Sequence, residues 1–273
     1  MPKWKAAGLD MSSVSSDKPE FLYKFRALDN ASANYTLDIL RKNSLWLSKP
    51  LNFNDPFDCV PVVSTSATDD KFRDYVNGLF KKFNPAMSRN ERRVMISEIM
   101  NDPNRRHDSY FIQSAMKKSV DEAVNSAGVL SLTSRFDHVL MWSHYASSHS
   151  GICLKFRLRP ESWITSARKV LYSADRPIMN IISDSSEEIQ RKSILFKADF
   201  WAYEDEWRVI SPALGAGSHD FDPNDLVGII FGKNISADHK SEIIKLASKY
   251  GKNFELIQAS IDDVHYRLNF DPI

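Results

Sequence analysis

The 273-residue chain carries 36 basic and 35 acidic side chains, so its net charge of +1 provides no global field for recruiting nucleic acid or an anionic membrane. Its 42% hydrophobic and 26% charged residues are typical of a globular protein, and no apolar run approaches the roughly 18 residues that span a bilayer. Two cysteines, Cys59 and Cys153, are too few for a disulfide framework or a zinc knuckle and predict buried thiols in a reducing cytoplasm. Residues 1–20 lack the apolar core of a secretory signal, so we expect a flexible N-terminal tail.

The predicted elements begin with a short, aromatic, alternating strand at residues 21–26. Asn30 or Ser32 can cap a helix that runs to about Lys42, and a second strand follows at 45–48. Residues 52–58 have turn chemistry, because Asn and Asp hydrogen-bond to local backbone and Pro fixes φ.

From about residue 67 to 127 the chain is rich in Lys, Arg and Asn and has helical periodicity, which predicts a helical insertion. The elements expected after it are strands at 128–133, 152–156, 169–172, 207–211 and 226–231, helices at 136–148, 185–201 and 237–250, and two short terminal strands. Strands and helices do not alternate steadily as in βαβ units. We therefore predict one α+β domain over residues 21–273, with a central mixed or antiparallel sheet and flanking helices.

The segment from Trp201 to Arg208 places three acids among aromatic side chains. Large rings lower the local dielectric, so these carboxylates are either tightly paired or have perturbed acidity. If the segment is extended, Glu204, Glu206 and Arg208 share one face, and if it is helical, Glu204 and Arg208 form an i,i+4 pair. The alternative to a functional cleft is an ion pair above a core tryptophan.

Two further segments carry candidate site residues. Asp55 and Asp58 stand three apart in a rigid turn, which is either an Asx-turn or cap, or a site that orients a ligand hydroxyl or a metal. His144 lies on the predicted helix 136–148 as a general acid/base, a ligand contact or a hydrogen-bonding residue at the edge of the core. No HExxH, CxxC or phosphate-cradling glycine pattern is present in the sequence.

Cations near these segments are candidate partners. Arg26, on the first strand, is suited to bidentate contact with a phosphate or carboxylate, or it pairs with an acid such as Glu206 to hold strands together. On a continuous helix, Lys197 would share a face with Trp201 and Glu204.

Taken together and in order, these motifs resemble a known family. They are Tyr23-Lys24-Phe25-Arg26, Leu45-Trp46-Leu47-Ser48, Phe53-Asn54-Asp55-Pro56-Phe57-Asp58, Met141-Trp142-Ser143-His144-Tyr145-Ala146 with Gly151, and Lys197 with Trp201-Tyr203-Glu204 and Glu206-Trp207-Arg208. The pattern is similar to the bacterial domain of unknown function 2971, from about Leu22 to Gly232. This resemblance implies a family without implying a chemistry.

The order of Arg26, then Ser48 or Ser131, then Glu204-Asp205-Glu206 also resembles one class of ADP-ribosyltransferases. That resemblance implies NAD as substrate, with Arg26 on its phosphates and a Glu on the nicotinamide ribose. A nearby carboxylate would stabilise the oxocarbenium ion that forms on cleavage. For an enzyme of this kind the expected catalytic residues are Glu206, Glu204 and Arg26, together with His144 from the predicted helix 136–148. The expected ligand-binding residues are Tyr23, Ser48, Asn54, Asp55, Asp58, Trp142, Ser143, Tyr145, Lys197, Tyr203 and Arg208.

Three hypotheses follow from these residues. The first is a nucleotide-processing enzyme of the ADP-ribosyltransferase type that cleaves or transfers from NAD. The second is a metal-dependent nuclease or phosphodiesterase built on Asp55, Asp58, Glu204, Glu206 and Lys197. In that hypothesis the basic helical insertion would bind the phosphate backbone of the nucleic acid. The alternative is that the insertion is a solvated helical face. Its cations are Lys81, Lys82, Arg89, Arg92, Arg93, Arg105 and Arg106. The third is a non-catalytic sensor or interaction module with a structural acid–aromatic cluster. A toxin or phage-defence role would fit either enzyme hypothesis.

Overall fold

The computed structural model describes residues 18–29, 32–107, 109–211, 215–251 and 253–273. The predicted tail at residues 1–20 lies outside this description except for its last three residues. The chain folds as two compact units. The first comprises Met1–Asn52, Ala127–Val170 and Asp199–Ile273, and the second comprises Phe53–Ser126 and Leu171–Ala198.

The strands are β1 (Phe21–Arg26), β2 (Ser44–Leu47), β3 (Val62–Ser64), β4 (Gly128–Thr133), β5 (Ile152–Arg157), β6 (Arg168–Lys169), β7 (Leu171–Ser173), β8 (Ile178–Asn180), β9 (Phe196–Ala198), β10 (Glu206–Ser211), β11 (Gly217–Asp220), β12 (Leu226–Phe231), β13 (Glu255–Ile261) and β14 (Leu268–Pro272). The α-helices are α1 (Ala33–Lys42), α2 (Asp69–Phe83), α3 (Arg89–Asn101), α4 (Tyr110–Ser126), α5 (Val139–Tyr145), α6 (Ser186–Ile194) and α7 (Ala237–Ala247). A large mixed sheet with flanking helices confirms the predicted α+β class.

The first unit is built on an eight-stranded sheet in the order β14-β13-β12-β5-β1-β4-β10-β6. Neighbouring strands are antiparallel except β12 and β13, which are parallel. A separate antiparallel pair joins β2 to β11, and Trp46 lies opposite Ser218 in it.

Side-chain alternation gives the main sheet two apolar faces. One face, here called the α1 face, packs Leu22, Leu154 and Trp207 against the buried residues of α1 and α7. The other, here called the α5 face, packs Tyr23 and Phe25 against α5. Any functional side chain on a strand of this sheet therefore belongs to one of two separate environments.

The second unit contains α2, α3, α4 and α6 with two short parallel pairs, β3–β8 and β7–β9. Ser88 begins α3 with a capping box, in which its hydroxyl accepts from the Glu91 amide and the Glu91 carboxylate accepts from the Ser88 amide. Thr68 likewise caps α2, and Ser185 caps α6.

Three predicted elements differ from the structure. The helix expected at 136–148 spans only Val139–Tyr145, because Ser147, Ser148 and His149 have left-handed φ values. The helix expected at 185–201 ends at Ile194, and the next residues form β9 and then a 3₁₀ segment, Asp199–Glu204. Lys197 is therefore on a strand, and the helical face that it was expected to share with Trp201 and Glu204 does not exist. The strand expected at 169–172 is two strands in different sheets, β6 and β7, with Val170 between them.

Candidate functional site

Glu206 and Arg208 form a buried ion pair on β10. They are 4% and 1% exposed, and the Arg208 guanidinium donates from Nε to Glu206 Oε1 at 2.8 Å and from Nη2 to Oε2 at 3.0 Å. The two side chains share a face because they stand two apart on one strand. A bidentate geometry of this kind compensates much of the desolvation of both charges. The predicted common face of Glu206 and Arg208 is present, with the two groups bound to each other.

Glu204 is also buried, and it lies beside Tyr145 of α5. The Tyr145 hydroxyl donates to Glu204 Oε1 at 2.6 Å, and the Thr133 hydroxyl donates to the Glu204 carbonyl at 2.5 Å. Thr133 is the residue of β4 that pairs with Glu206 on one side and with Tyr23 on the other. Glu206 and Tyr23 therefore lie on the same side of the sheet, the α5 face.

The segment around these acids is neither all extended nor all helical. Asp205 separates the 3₁₀ segment from β10 with a left-handed φ of 40°. Its carboxylate accepts from the Ser134 hydroxyl and pairs with Lys169 Nζ at 2.9 Å. Glu204 and Glu206 consequently belong to different local structures and do not share a strand face by alternation.

Aromatic rings surround this part of the α5 face. Tyr203 stacks on His138 with ring centroids 5.0 Å apart, and Trp201 lies 6.0 Å from Tyr203 and 6.4 Å from His144. His144 itself is exposed, whereas Trp142 is fully buried against Phe25. The predicted site residues Tyr23, Trp142, His144, Tyr145, Tyr203, Glu204, Glu206 and Arg208 are thus gathered on or beside one face. Ser143 is partly buried on the same helix, where its hydroxyl lies 3.1 Å from His149 Nε2.

Arg26 projects from the other face of the sheet. It stands an odd number of positions from Tyr23 on β1 and pairs with Ile152, a residue of the core on the α1 face. The structure therefore does not bring Arg26 together with Glu206 or His144. The alternative that Arg26 pairs with Glu206 is likewise not realised.

Arg26 lines a cavity of about 520 Å³, together with residues of α1 and β2. Its Nε donates to Thr36 Oγ1 at 3.4 Å, and among the described residues no carboxylate lies within ion-pair distance of its guanidinium. Burial lowers the pKa of Arg26 from its ordinary value. The cavity, here called the Arg26 cavity, is lined by Lys24, Arg26, Tyr35, Asp38, Ile39, Lys42, Ser44, Leu45, Trp46, Leu130 and Ser218.

Two aromatic residues of this cavity, Tyr35 and Trp46, are not among the site residues predicted from the sequence. They are 72% and 62% exposed, although they belong to elements that are otherwise partly buried. The signal for Trp46 is alternation, because Leu45 and Leu47 on either side are buried and the side chain between them must point outward. Ser48 follows on the same chain segment and forms an isolated bridge with Val129.

The second unit holds the other predicted acids. Asp55 is 6% exposed, and its Oδ1 accepts from the Phe57 amide at 2.9 Å, which confirms the Asx-turn. Its Oδ2 is buried, and no hydrogen-bond donor for it lies among the residues that the structure describes. Asp58 and Lys197 are buried, with Asp58 Oδ2 and Lys197 Nζ 3.9 Å apart, and Asn54 is exposed.

The described part of the chain contains neither a cluster of metal-ligating side chains nor a membrane-spanning helix. Within it, no group of three or more His, Cys, Asp or Glu side chains is arranged so as to hold a metal ion. No helix in the same residues is both long enough and apolar enough to cross a membrane.

Comparison with known proteins identifies one family. The model of a family described as "Protein of unknown function (DUF2971)" matches residues 141–209. This segment runs from α5 to β10 and contains Tyr145, Glu204, Glu206 and Arg208, so the family resemblance predicted from the motifs is confirmed over it. No curated protein and no protein of solved structure matches the chain.

Proposed function

We propose that this chain binds a nucleotide in the Arg26 cavity, with the phosphates on Arg26 and the base against the exposed aromatic rings. The observation that carries the proposal is the Arg26 guanidinium, which is partly buried in a cavity without a described carboxylate partner. Desolvating a cation without a counter-ion costs free energy. A bound phosphate offsets that cost, because its oxygens accept charge-assisted hydrogen bonds from the guanidinium.

The charges of the cavity support an anionic ligand. Lys24, Arg26 and Lys42 supply three cations against the single carboxylate of Asp38, which leaves two positive charges in excess. Asp38 already pairs with Lys42 Nζ at 2.6 Å. Lys24 Nζ is held by the Ser131 carbonyl at 2.8 Å, which fixes a second cation in the same cavity as Arg26.

The size and lining of the cavity support a nucleotide over a bare phosphate. A volume of about 520 Å³ lies within the usual range for small-molecule sites, roughly 300–1,000 Å³. Trp46 and Tyr35 offer exposed ring faces, and a flat base stacked on an aromatic ring contributes about 1–3 kcal/mol. Leu45 and Leu130 add apolar lining.

NAD is the first ligand to test, because the resemblance to ADP-ribosyltransferases implies it. Since Arg26 and Glu206 project from opposite faces of the sheet, the geometry supports binding of the nucleotide better than its cleavage by Glu206. Release of nicotinamide from NAD by the pure protein stays a separate prediction, which a nicotinamide assay checks.

Isothermal titration of the full chain tests the proposal with NAD, ADP-ribose, pyrophosphate and adenosine. Arg26→Gln is expected to weaken NAD binding by roughly 10- to 150-fold, which corresponds to the loss of about 1.5–3 kcal/mol from hydrogen bonds to a charged group. Trp46→Ala should weaken NAD binding by about 5-fold or more and leave pyrophosphate binding unchanged. Arg157→Gln is the matched control, because Arg157 is an arginine of the same unit that is half exposed and lies outside the cavity.

Two results would overturn the proposal. One is NAD binding that Arg26→Gln and Arg157→Gln weaken equally. The other is the absence of binding by any of the four ligands at millimolar concentration.

A further inference from the structure

The second unit contains a cationic groove that the proposed function does not use. It lies between α2 and α3, has a volume of about 700 Å³ and is here called the α2–α3 groove. Its lining residues are Arg73, Asp74, Asn77, Lys81, Arg89, Arg92, Arg93, Ile96, Ser97, Met100 and Asn101. Five of them are cations and one, Asp74, is an acid, so four positive charges are in excess.

Most of these cations are not neutralised by the protein. Arg73 pairs with Asp70 at 2.8 Å. For Lys81, Arg89 and Arg93, no carboxylate in the described part of the chain lies within ion-pair distance. All three are exposed at the groove and available to a ligand.

The position of the arginines on α3 opposes helix stability. Arg89 is the first residue of α3, where the helix dipole disfavours a cation by about 0.3–1 kcal/mol. Arg89 and Arg93 stand i,i+4, and like charges at this spacing cost about 0.2–0.5 kcal/mol. The capping box of Ser88 and Glu91 offsets this cost at the same helix end. The stability of α3 therefore does not account for the cations at these two positions.

Arg92 is already oriented in the groove. Its Nη1 donates to the Met87 carbonyl, and its Nε is buried with no hydrogen-bond acceptor among the residues described. The guanidinium is therefore held by backbone while retaining donor capacity. A preoriented donor costs less side-chain entropy on binding than a free one.

We propose that the α2–α3 groove binds a row of phosphate groups, as in an inorganic oligophosphate or the polyphosphate tail of a nucleotide. An excess of four positive charges exceeds what one phosphate neutralises. No aromatic side chain is among the described lining residues, so the groove has no stacking surface for the bases of a single-stranded nucleic acid. Each guanidinium can bind phosphate oxygens through bidentate hydrogen bonds, so several arginines lining one groove can hold more than one phosphate group.

Titration of the full chain with inorganic tripolyphosphate tests the proposal in the Arg26→Gln background, which removes the first proposed site. The double variant Arg89→Gln/Arg93→Gln is expected to weaken binding at least about 10-fold. Lys117→Gln/Lys118→Gln is the matched control, because it removes the same charge from exposed positions of α4 in the same unit. That control should change the affinity less than about 2-fold.

Two further measurements show whether the ligand is a nucleotide or an inorganic phosphate chain, and whether the double variant is folded. ATP that binds as tightly as tripolyphosphate identifies a nucleotide tail as the ligand, and ATP that binds at least about 10-fold more weakly identifies an inorganic chain. The melting temperature of the double variant should equal or exceed that of the parent, because its like-charge repulsion is relieved. If the double variant unfolds, Arg93→Gln alone must still weaken binding.

Three outcomes would overturn the proposal. One is equal tripolyphosphate affinity in the parent and in a folded double variant. The second is a single-stranded oligothymidylate that binds through Arg89 and Arg93 while tripolyphosphate does not, which would make the groove a nucleic-acid site. The third is equal loss of affinity in the lysine control, which would mean non-specific attraction.

Discussion

Replacing Glu206 by Gln tests whether the buried acid of β10 stabilises the fold. Glu206 is 4% exposed and accepts two hydrogen bonds from Arg208, which is 1% exposed. Gln is nearly isosteric, but it removes the negative charge and turns an NH₂ group toward one of the two guanidinium donors. Breaking a buried ion pair on one side costs about 3–5 kcal/mol, which is a large fraction of a typical stability of about 5–15 kcal/mol.

Urea denaturation followed by tryptophan fluorescence measures this loss in the relevant part of the molecule. The described tryptophans, Trp46, Trp142, Trp163, Trp201 and Trp207, all belong to the first unit. Far-ultraviolet circular dichroism follows the helices of both units, so a fluorescence transition that shifts alone locates the damage in the first. Comparing the two transitions also checks whether the chain unfolds in two states.

Glu255→Gln is the matched control for this prediction. Glu255 also lies on the main sheet and accepts from Lys155 Nζ at 2.8 Å, but its side chain is 43% exposed, so the pair is worth about 0–1 kcal/mol. The reasoning is refuted if Glu206→Gln and Glu255→Gln destabilise the first unit equally. It is also refuted if Glu206→Gln stays within about 1 kcal/mol of the parent.

Three other predictions concern stability. Burial raises the pKa of Asp225 to about 6. The folded state then holds the proton more tightly than the unfolded state. The free energy of unfolding should therefore fall by up to about 3 kcal/mol as the pH rises from 4 to 6. Melts of Asp225→Asn over the same pH range should lack that fall. Tyr145→Phe removes the 2.6 Å hydrogen bond to Glu204, and urea melts should show a loss of about 1.5–3 kcal/mol. Gly128→Ala would push a Cβ into the carbonyl oxygen of Gly215, and the same melts should show a loss of about 1–3 kcal/mol.

Short-range patterns predicted most of the strands of the main sheet. Alternating or continuous apolar runs identified β1, β4, β5 and β12 within one residue of their observed bounds, because each has strong strand propensity and a clear turn on either side. The helix expected to reach Trp201 was wrong because an amphipathic pattern does not mark where a helix stops. The chain leaves α6 at the C-cap Leu195, where neither Gly nor Pro marks the end of the helix. The strand that follows, β9, pairs with β7, which is distant in the sequence.

The sequence predicts the face of β1 on which Arg26 lies relative to Tyr23, but it does not predict on which face Glu206 lies. Alternation along β1 already sets Arg26 opposite Tyr23. Which of these two faces carries Glu206 depends on the register of β4 against both β1 and β10, fixed by the pairs Tyr23 with Thr133 and Glu206 with Thr133. Such registers join residues far apart in sequence, so no local pattern contains them.

Arg208, which is buried, and Arg26, which is partly buried, differ in whether the fold supplies a partner for the charge. Both lie on strands of one sheet and both lose hydration. Arg208 recovers this loss within the fold through two short hydrogen bonds to Glu206. Within the described ranges Arg26 makes one side-chain hydrogen bond, a long one to Thr36, and it lines a cavity with excess positive charge. Folding alone gains little from Arg26, so Arg26→Met should leave the free protein equally or more stable while weakening nucleotide binding at least as much as Arg26→Gln does. A stability loss of several kcal/mol in Arg26→Met would instead assign Arg26 to the same structural role as Arg208.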